Sequence, residues 1–198
     1  MSDIIHHECG VTLIRLLKPI DYYKNKYGSA RYGLHKLYQV MKKMINRGQD
    51  GAGVATIKLD VEPGTTYLDR LRSVENKATQ DIFTQINSQF SIAQKNNPAA
   101  YEKADWQKQN IPFLGELMLG HLRYGTFGKN GVHTCHPFKR QNNWRSRNLV
   151  VAGNFNLTNV DELFQHLIEL GQHPVEMADT VTVMEKIGHF LGKENDRN

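Results

Sequence analysis

The chain has little cysteine: only Cys9 and Cys135 among 198 residues. Two cysteines make no disulfide framework, so stability must come from a packed core. Each is then either an inert small hydrophobe or a reactive thiol, and composition does not separate the two. Long apolar runs are also missing. None approaches the roughly 18 residues of a membrane span. Met1 to Glu8 carries Asp3 and Glu8 and lacks the apolar stretch of a secretory signal. The expectation is a cytoplasmic protein with no membrane partner. Paired zinc spacings are absent too. His6-His7-Glu8-Cys9 and His133-Thr134-Cys135-His136 hold metal-ligand residue types without the standard rhythm, so no metal is expected. There is no internal repeat and no linker pointing to a second complete domain.

What is present suits a globular domain. The chain is 39% hydrophobic and 23% charged, and its length is enough for one substantial buried core. The net charge is +5, with the cations scattered apart from Lys139, Arg140, Arg145 and Arg147. That pattern reads as a solvated basic face, and no nucleic-acid partner is expected.

Helical and strand patterns are interspersed. Cys9 to Leu17 is a β-branched apolar run and reads as a strand. Lys18 to Gly28, with Pro19 and three tyrosines, reads as a loop. Leu34, Leu37, Met41 and Met44 form a helical stripe within Ala30 to Asn46. Arg47 to Gly53 breaks that helix with three glycines, and Val54 to Leu59 resumes as a strand. Thr65 to Leu71 would pair with it across Pro63-Gly64. Residues 75–110 read as a helix followed by a surface insertion. Leu117 to Tyr124 and Leu149 to Ala152 are strands, the second apolar on both faces and so expected to be central. Val160 to Leu170 is an amphipathic helix capped by Thr158 or Asn159. The last helix, Thr180 to Leu191, would bury Val183, Ile187, Phe190 and Leu191. This patterning supports an α+β layered domain without fixing its topology.

Four stretches carry residues able to do chemistry. Cys9 begins a strand and is followed by Gly10. A thiol attacks only as thiolate, and no nearby side chain is a convincing base. One solution is that Cys9 becomes the chain terminus, so that its own α-amine, of ordinary pKa about 7.7–8.0, accepts the proton. The bland alternative is a buried structural cysteine. In Gly120-His121-Leu122-Arg123-Tyr124-Gly125-Thr126, strand alternation puts His121 and Arg123 on one face. Arg123 there can grip a carboxylate with two parallel hydrogen bonds, or be a plain surface arginine. Asn154, after the Leu149 to Ala152 strand, can donate to an oxyanion or merely form a turn. Asp179 can cap the last helix or hold an ammonium.

Taken in order, Cys9-Gly10-Val11, Arg47-Gly48-Gln49-Asp50-Gly51-Ala52-Gly53, Gly120 to Tyr124, Gly153-Asn154-Phe155-Asn156-Leu157-Thr158-Asn159 and Asp179-Thr180 resemble the class II glutamine amidotransferase domain. That family is a branch of the N-terminal-nucleophile hydrolases. The Arg-Gly-Gln-Asp and Asn-Leu-Thr-Asn wording is nearest the glutaminase domains of amidophosphoribosyltransferases. The resemblance implies a four-layer αββα sandwich and an enzyme that hydrolyses glutamine to glutamate and ammonia. It implies Cys9 as nucleophile and its α-amine as proton relay. Asn154 and the backbone N–H of Phe155 would form the oxyanion hole, Arg123 with Thr126 would bind the α-carboxylate, and Asp179 the α-ammonium. It implies no cofactor in this domain, with Mg expected only for a phosphoribosyltransferase domain. The implied partners are glutamine and that C-terminal or separate acceptor domain, with homo-oligomerisation left open.

Three departures bear on these expectations. Residues 1–8 precede Cys9, so a leader must be removed to expose the amine. Phe155 stands where the family commonly has glycine, and phenylalanine does not easily take a positive φ. Asp179-Thr180-Val181 keeps only the first two residues of the family's Asp-Thr-Glu. No acidic diphosphate-binding motif of the phosphoribosyltransferase type is present. The expected division is a leader over 1–8, the amidotransferase domain over 9–192 and a polar tail over 193–198 leading toward an acceptor domain. The rival readings are a catalytically weak or inactive amidotransferase-like domain with an assembly or regulatory role, and the glutaminase part of another amidotransferase.

Overall fold

A computed structural model describes residues 8–125, 131–154, 157–174 and 178–197. The chain divides into two compact units, the first ending at Pro137 and the second starting at Phe138.

In the first unit, β1 (Gly10–Arg15) leads to α1 (Ile20–Tyr27) and α2 (Tyr32–Lys43), then to β2 (Gly51–Ile57) and β3 (Leu68–Ser73). Three helices follow, α3 (Ala78–Asn96), α4 (Pro98–Tyr101) and α5 (Ala104–Asn110), before β4 (Leu117–Arg123). The four strands form one sheet in the order β1-β4-β2-β3, and every pairing is antiparallel. β4 is therefore interior: Gly120 faces Thr12 on one side and Val54 on the other.

Strand alternation gives the sheet two unlike faces. Met118, Gly120 and Leu122 of β4 look toward α2. A Cβ on Gly120 would lie 2.7 Å from Met41 Sδ, and one on Gly33 of α2 would lie 2.3 Å from Met118 Cε. Leu34, Leu37 and Met41 of α2 and Ile82, Ile86 and Phe90 of α3 complete this core with Ala52 and Val54. The expected α2 stripe is thus the buried one, save that Met44 is only half-buried. The opposite face carries His121, Arg123, Gly51 and Gly53, with Val11 and Leu13 of β1 exposed at 42% and 65%.

Two expectations about this unit are corrected. Lys18 to Gly28 is not a loop. Pro19 precedes a helix rather than breaking one, Ile20 is buried, and Gly28 ends the helix at φ 74° with its N–H donating to the Lys24 carbonyl. The three tyrosines that suggested irregular chain form a cluster instead: the Tyr23 and Tyr27 rings each stack against Tyr32, and Tyr22 meets Tyr23 edge-on. Residues 75–110 hold no irregular insertion. The lysine-rich stretch continues as α4 and α5, with Ala104 and Gln107 buried.

The second unit holds β5 (Phe138–Arg140), β6 (Leu149–Val151), α6 (Val160–Glu169) and α7 (Asp179–Arg197). β5 and β6 pair antiparallel as a two-stranded sheet. Phe138, Val181 and Met184 form its core, with Leu149, Val151 and Ala178 packed against them. So β6 is half-buried in a short ribbon, not a central strand, and Leu149 and Val151 pack with Phe138 against Val181 and Met184 of α7. α7 is turned relative to expectation. Val181, Met184 and Gly188 are buried, while Ile187 and Phe190 are exposed at 46% and 56%. A Cβ on Gly188 would meet Arg140 Nε at 2.5 Å, so this bare position lets Arg140 lie along α7 and pair with Glu185 at 2.9 Å. Residues 193–197, expected as a polar tail, continue α7. Asn159 occupies the position before α6 but makes no side-chain cap bond. The architecture is mixed helix and sheet in both units. No described helix is long and apolar enough to cross a membrane.

At the far end of the large sheet lies a buried ionic group. Glu116 pairs with Lys108 at 2.6 Å and accepts the Leu59 N–H at 2.9 Å, while Asp69 accepts the Phe113 N–H at 2.9 Å. Lys58 is buried among them. Burial holds its ammonium below the ordinary lysine range, Asp69 and Glu116 pull it back up, and Lys108 adds to the lowering. Removing one partner of a buried pair strands the other's charge. Glu116→Ala should therefore lower stability by about 3–5 kcal/mol, read from the denaturant midpoint. A change within 0.5 kcal/mol, the range of an ordinary surface substitution, would contradict a structural role for the pair.

Candidate active site

Cys9 is half-buried and sits immediately before β1, one residue beyond the Gly10–Leu122 pair. Continuing the register brings it beside the C-terminal end of β4. Its Sγ accepts the Tyr124 N–H at 3.4 Å and lies 3.8 Å from the Tyr124 carbonyl oxygen. The two contacts differ in what they require. The N–H can serve a thiolate; the carbonyl contact needs the thiol proton.

On the other flank of β4, the turn before β2 makes matching contacts. The Asp50 N–H donates to the Arg123 carbonyl at 3.1 Å, and the Gly125 N–H donates to Asp50 Oδ2 at 2.8 Å. Gly48 packs flush on the same backbone. A Cβ there would lie 2.5 Å from the Arg123 carbonyl carbon and oxygen, so only glycine fits without displacing the turn. Here the glycine-rich stretch 47–53, expected as a helix breaker, closes a short 3-10 turn (Ile45–Arg47) and starts β2 three residues earlier than the pattern suggested.

Arg123 is buried at 7% exposure on the same face as His121, as alternation predicted. The segment 135–137 crosses that face. A Cβ on Gly53 would fall 1.9 Å from the His136 carbonyl oxygen, and one on Gly51 would fall 2.6 Å from Cys135 Sγ. The His121 and His136 rings meet with centroids 4.4 Å apart. Arg72 ties the segment to the sheet by donating to the Cys135 carbonyl at 2.9 Å. Burial pushes the Cys135 thiol up, against the opposing pull of Arg123 and Arg72. Cys135 is thus held as a neutral, enclosed thiol, while Cys9 is partly open to solvent.

Within the second unit, Asn154 is exposed after β6. Asp179 is the first residue of α7, and its Oδ2 accepts the Leu157 N–H at 2.8 Å. The carboxylate therefore tethers the loop that carries Asn154 to the start of α7. Thr126 and Phe155 lie outside the described residues. Cys9 and Arg123 are brought together at one end of the large sheet; Asn154 lies in the loop after β6, and Asp179 opens α7. Surface hollows along α1 and α6 include none of these four. In the sequence Asp50 stands out only as part of the Arg47 to Gly53 motif. The signal that would have found it is an acid between two glycines at a strand entry, a place for a side-chain-to-backbone clamp.

Two outcomes follow. Iodoacetamide at neutral pH should label Cys9 and leave Cys135 unmodified, read by peptide mapping. Preferential labelling of Cys135 would contradict its enclosure. Gly53→Ala should cost about 1–3 kcal/mol or more, because its methyl meets backbone that cannot rotate away; thermal unfolding checks this.

No family model matches the chain. Two curated relatives are the amidophosphoribosyltransferases of Pseudomonas aeruginosa, 26% identical over 160 residues, and Bacillus subtilis, 27% identical over 172 residues. The matches take in 80% and 84% of this chain, but 25% and 28% of those proteins. The chain thus spans about a quarter of the length of the curated relatives it matches. A solved glutamine phosphoribosylpyrophosphate amidotransferase of B. subtilis, complexed with ADP and GMP, aligns over 88% of this chain and 28% of its own, at TM-score 0.47 and 20% identity. Over four fifths of its own length this chain is similar in sequence to amidophosphoribosyltransferases, the group whose glutaminase domain its motifs resemble.

Proposed function

We propose that this chain is a class II glutaminase domain that hydrolyses glutamine to glutamate and ammonia through a Cys9 thioester. The observation that carries the reading is the placement of Cys9 Sγ on the Tyr124 N–H, one residue from the buried Arg123. A half-open thiol with a backbone donor beside a buried cation is a site for a nucleophile and a carboxylate-bearing substrate.

In this reading residues 1–8 are a leader whose removal frees the Cys9 amine. With the leader attached, the nitrogen is an amide and takes no proton. The free amine accepts the thiol proton, sulfur attacks the side-chain carboxamide, and the amine returns the proton to the departing ammonia. The Asn154 side chain and the Phe155 N–H steady the oxyanion; losing one such donor costs about 2.7–4 kcal/mol of transition-state stabilisation. Arg123 and Thr126 hold the α-carboxylate and Asp179 the α-ammonium. Water then cleaves the thioester. The fold is the four-layer αββα sandwich of the N-terminal-nucleophile hydrolases, spanning residues 9–192. Ammonia passes to a phosphoribosyltransferase-like acceptor domain, joined or separate, in purine biosynthesis in the cytoplasm. Any Mg belongs to that acceptor domain.

A second reading, an amidotransferase-like domain serving assembly, draws on Asp179. One of its oxygens is already committed to Leu157, which suits a structural tether as well as a substrate contact. A glutamate-release assay separates the two. Protein lacking residues 1–8 should release glutamate, the same protein with Cys9→Ala should not, and the uncut chain should be inactive. Equal activity with and without the leader would defeat the amine-relay reading. Arg123→Lys keeps the charge but loses the planar fork. It should raise KM for glutamine by about 10- to 100-fold with little change in kcat. Saturation at the wild-type concentration would remove Arg123 from the carboxylate role.

A further inference from the structure

The proposed nucleophile touches two successive peptide groups, and both are anchored on their far side by one residue. The first is the Arg123–Tyr124 peptide. Its N–H donates to Cys9 Sγ at 3.4 Å, and its carbonyl oxygen accepts the Asp50 N–H at 3.1 Å. The second is the Tyr124–Gly125 peptide. Its carbonyl oxygen lies 3.8 Å from Cys9 Sγ, and its N–H donates to Asp50 Oδ2 at 2.8 Å. A trans peptide directs N–H and C=O to opposite sides. So each plane is strung between Asp50 and Cys9, once by the Asp50 backbone and once by its carboxylate.

We propose that Asp50 is the positioning residue of the Cys9 nucleophile: its backbone N–H braces the peptide that presents the Tyr124 N–H to Sγ, and its carboxylate braces the next peptide, whose carbonyl lies against Sγ. The inference rests on the reading of Cys9 as nucleophile and adds a role for a residue that touches no reacting atom.

The physical case is one of freedom removed. β4 is held by β1 up to Leu122 and by β2 up to Arg123. Beyond Arg123 the ladder has ended, and Gly125 is exposed. A glycine in an exposed turn has wide backbone freedom. The carboxylate of Asp50 is the bond that carries the constraint one residue past the sheet. A charged acceptor makes a hydrogen bond roughly twice as strong as a neutral one. Rotation of the Tyr124–Gly125 peptide would carry the Tyr124 carbonyl away from sulfur without disturbing the core. The Asp50 backbone bond and the Gly48 contact hold the preceding peptide alone. Chains of hydrogen bonds through peptide groups also reinforce one another.

The test uses the full chain and two substitutions, Asp50→Ala and Asp50→Asn. Asparagine keeps an acceptor oxygen at the same reach and loses the charge. The first readout is the rate of Cys9 alkylation by iodoacetamide, followed by peptide mapping. The second is kcat and KM for glutamine in protein lacking residues 1–8. Asp50→Ala should slow Cys9 alkylation and lower kcat by about tenfold, with KM changed less than about threefold, since misplacing a reacting group costs rate rather than binding. Asp50→Asn should recover most of both. Unchanged alkylation in Asp50→Ala overturns the proposal. So does equal damage in Asp50→Asn, which would assign the effect to charge, or a rise in KM alone, which would put Asp50 on the substrate. Slowed alkylation in a chain that never releases glutamate would leave the positioning role standing and sink the glutaminase reading instead. Should Asp50→Ala fail to fold, amide exchange on the unsubstituted chain carries the test. Tyr124 and Gly125 N–H should both be protected, and exchange of Gly125 at the rate of an unstructured peptide overturns the role.

Discussion

The peptide group between Arg123 and Tyr124 is the constraint on which the geometry of the candidate site depends. Its carbonyl belongs to the β2 side, where the Asp50 N–H meets it, and its N–H to the β1 side, where Cys9 Sγ receives it. The sulfur is therefore located by the interior strand of an antiparallel sheet rather than by a loop of its own. A single hydrogen bond of this kind contributes only about 1 kcal/mol net. Its precision comes from elsewhere: β4 is laddered to β1 from Leu117 to Leu122 and to β2 from Leu117 to Arg123. Moving the peptide would mean unzipping both ladders.

The same sheet has two unlike faces. On one, Met118, Leu122, Ala52 and Val54 meet the apolar stripes of α2 and α3. On the other, Arg123 and His121 are buried beneath the 135–137 segment, which approaches because Gly51 and Gly53 have no side chains. Burial pushes the neighbouring Cys135 thiol up, against the pull of Arg123 and Arg72.

How much of this was legible in the residues differs by element. The strand at Cys9 to Leu17, the stripe of α2, the pairing of β2 with β3 and the helices α6 and α7 all follow from periodicity, and the structure has them with shifted ends. Periodicity misled where a residue's usual role was reversed. Pro19 and Gly28 looked like loop punctuation and are the two ends of α1. The Leu149 to Ala152 run looked doubly buried because all its residues are apolar, yet a two-stranded ribbon leaves it half-covered. In α7 two apolar stripes compete, and packing on Phe138 chose Val181 and Met184 over Ile187 and Phe190.

By itself the sequence determined which residue types stand where: a thiol at the head of a strand, an arginine at the end of another, and motifs that resemble, in order, those of a glutaminase domain. Those are properties of residue type and spacing, and they survive without coordinates. Only the tertiary structure decided that Cys9 leans on the Tyr124 backbone, that Asp50 braces that backbone from behind, and that Cys135 is sealed under the sheet. These depend on strand order. Cys9, Asp50 and Arg123 are far apart in sequence, and nothing local says that β4 would insert between β1 and β2 and bring the three ends together.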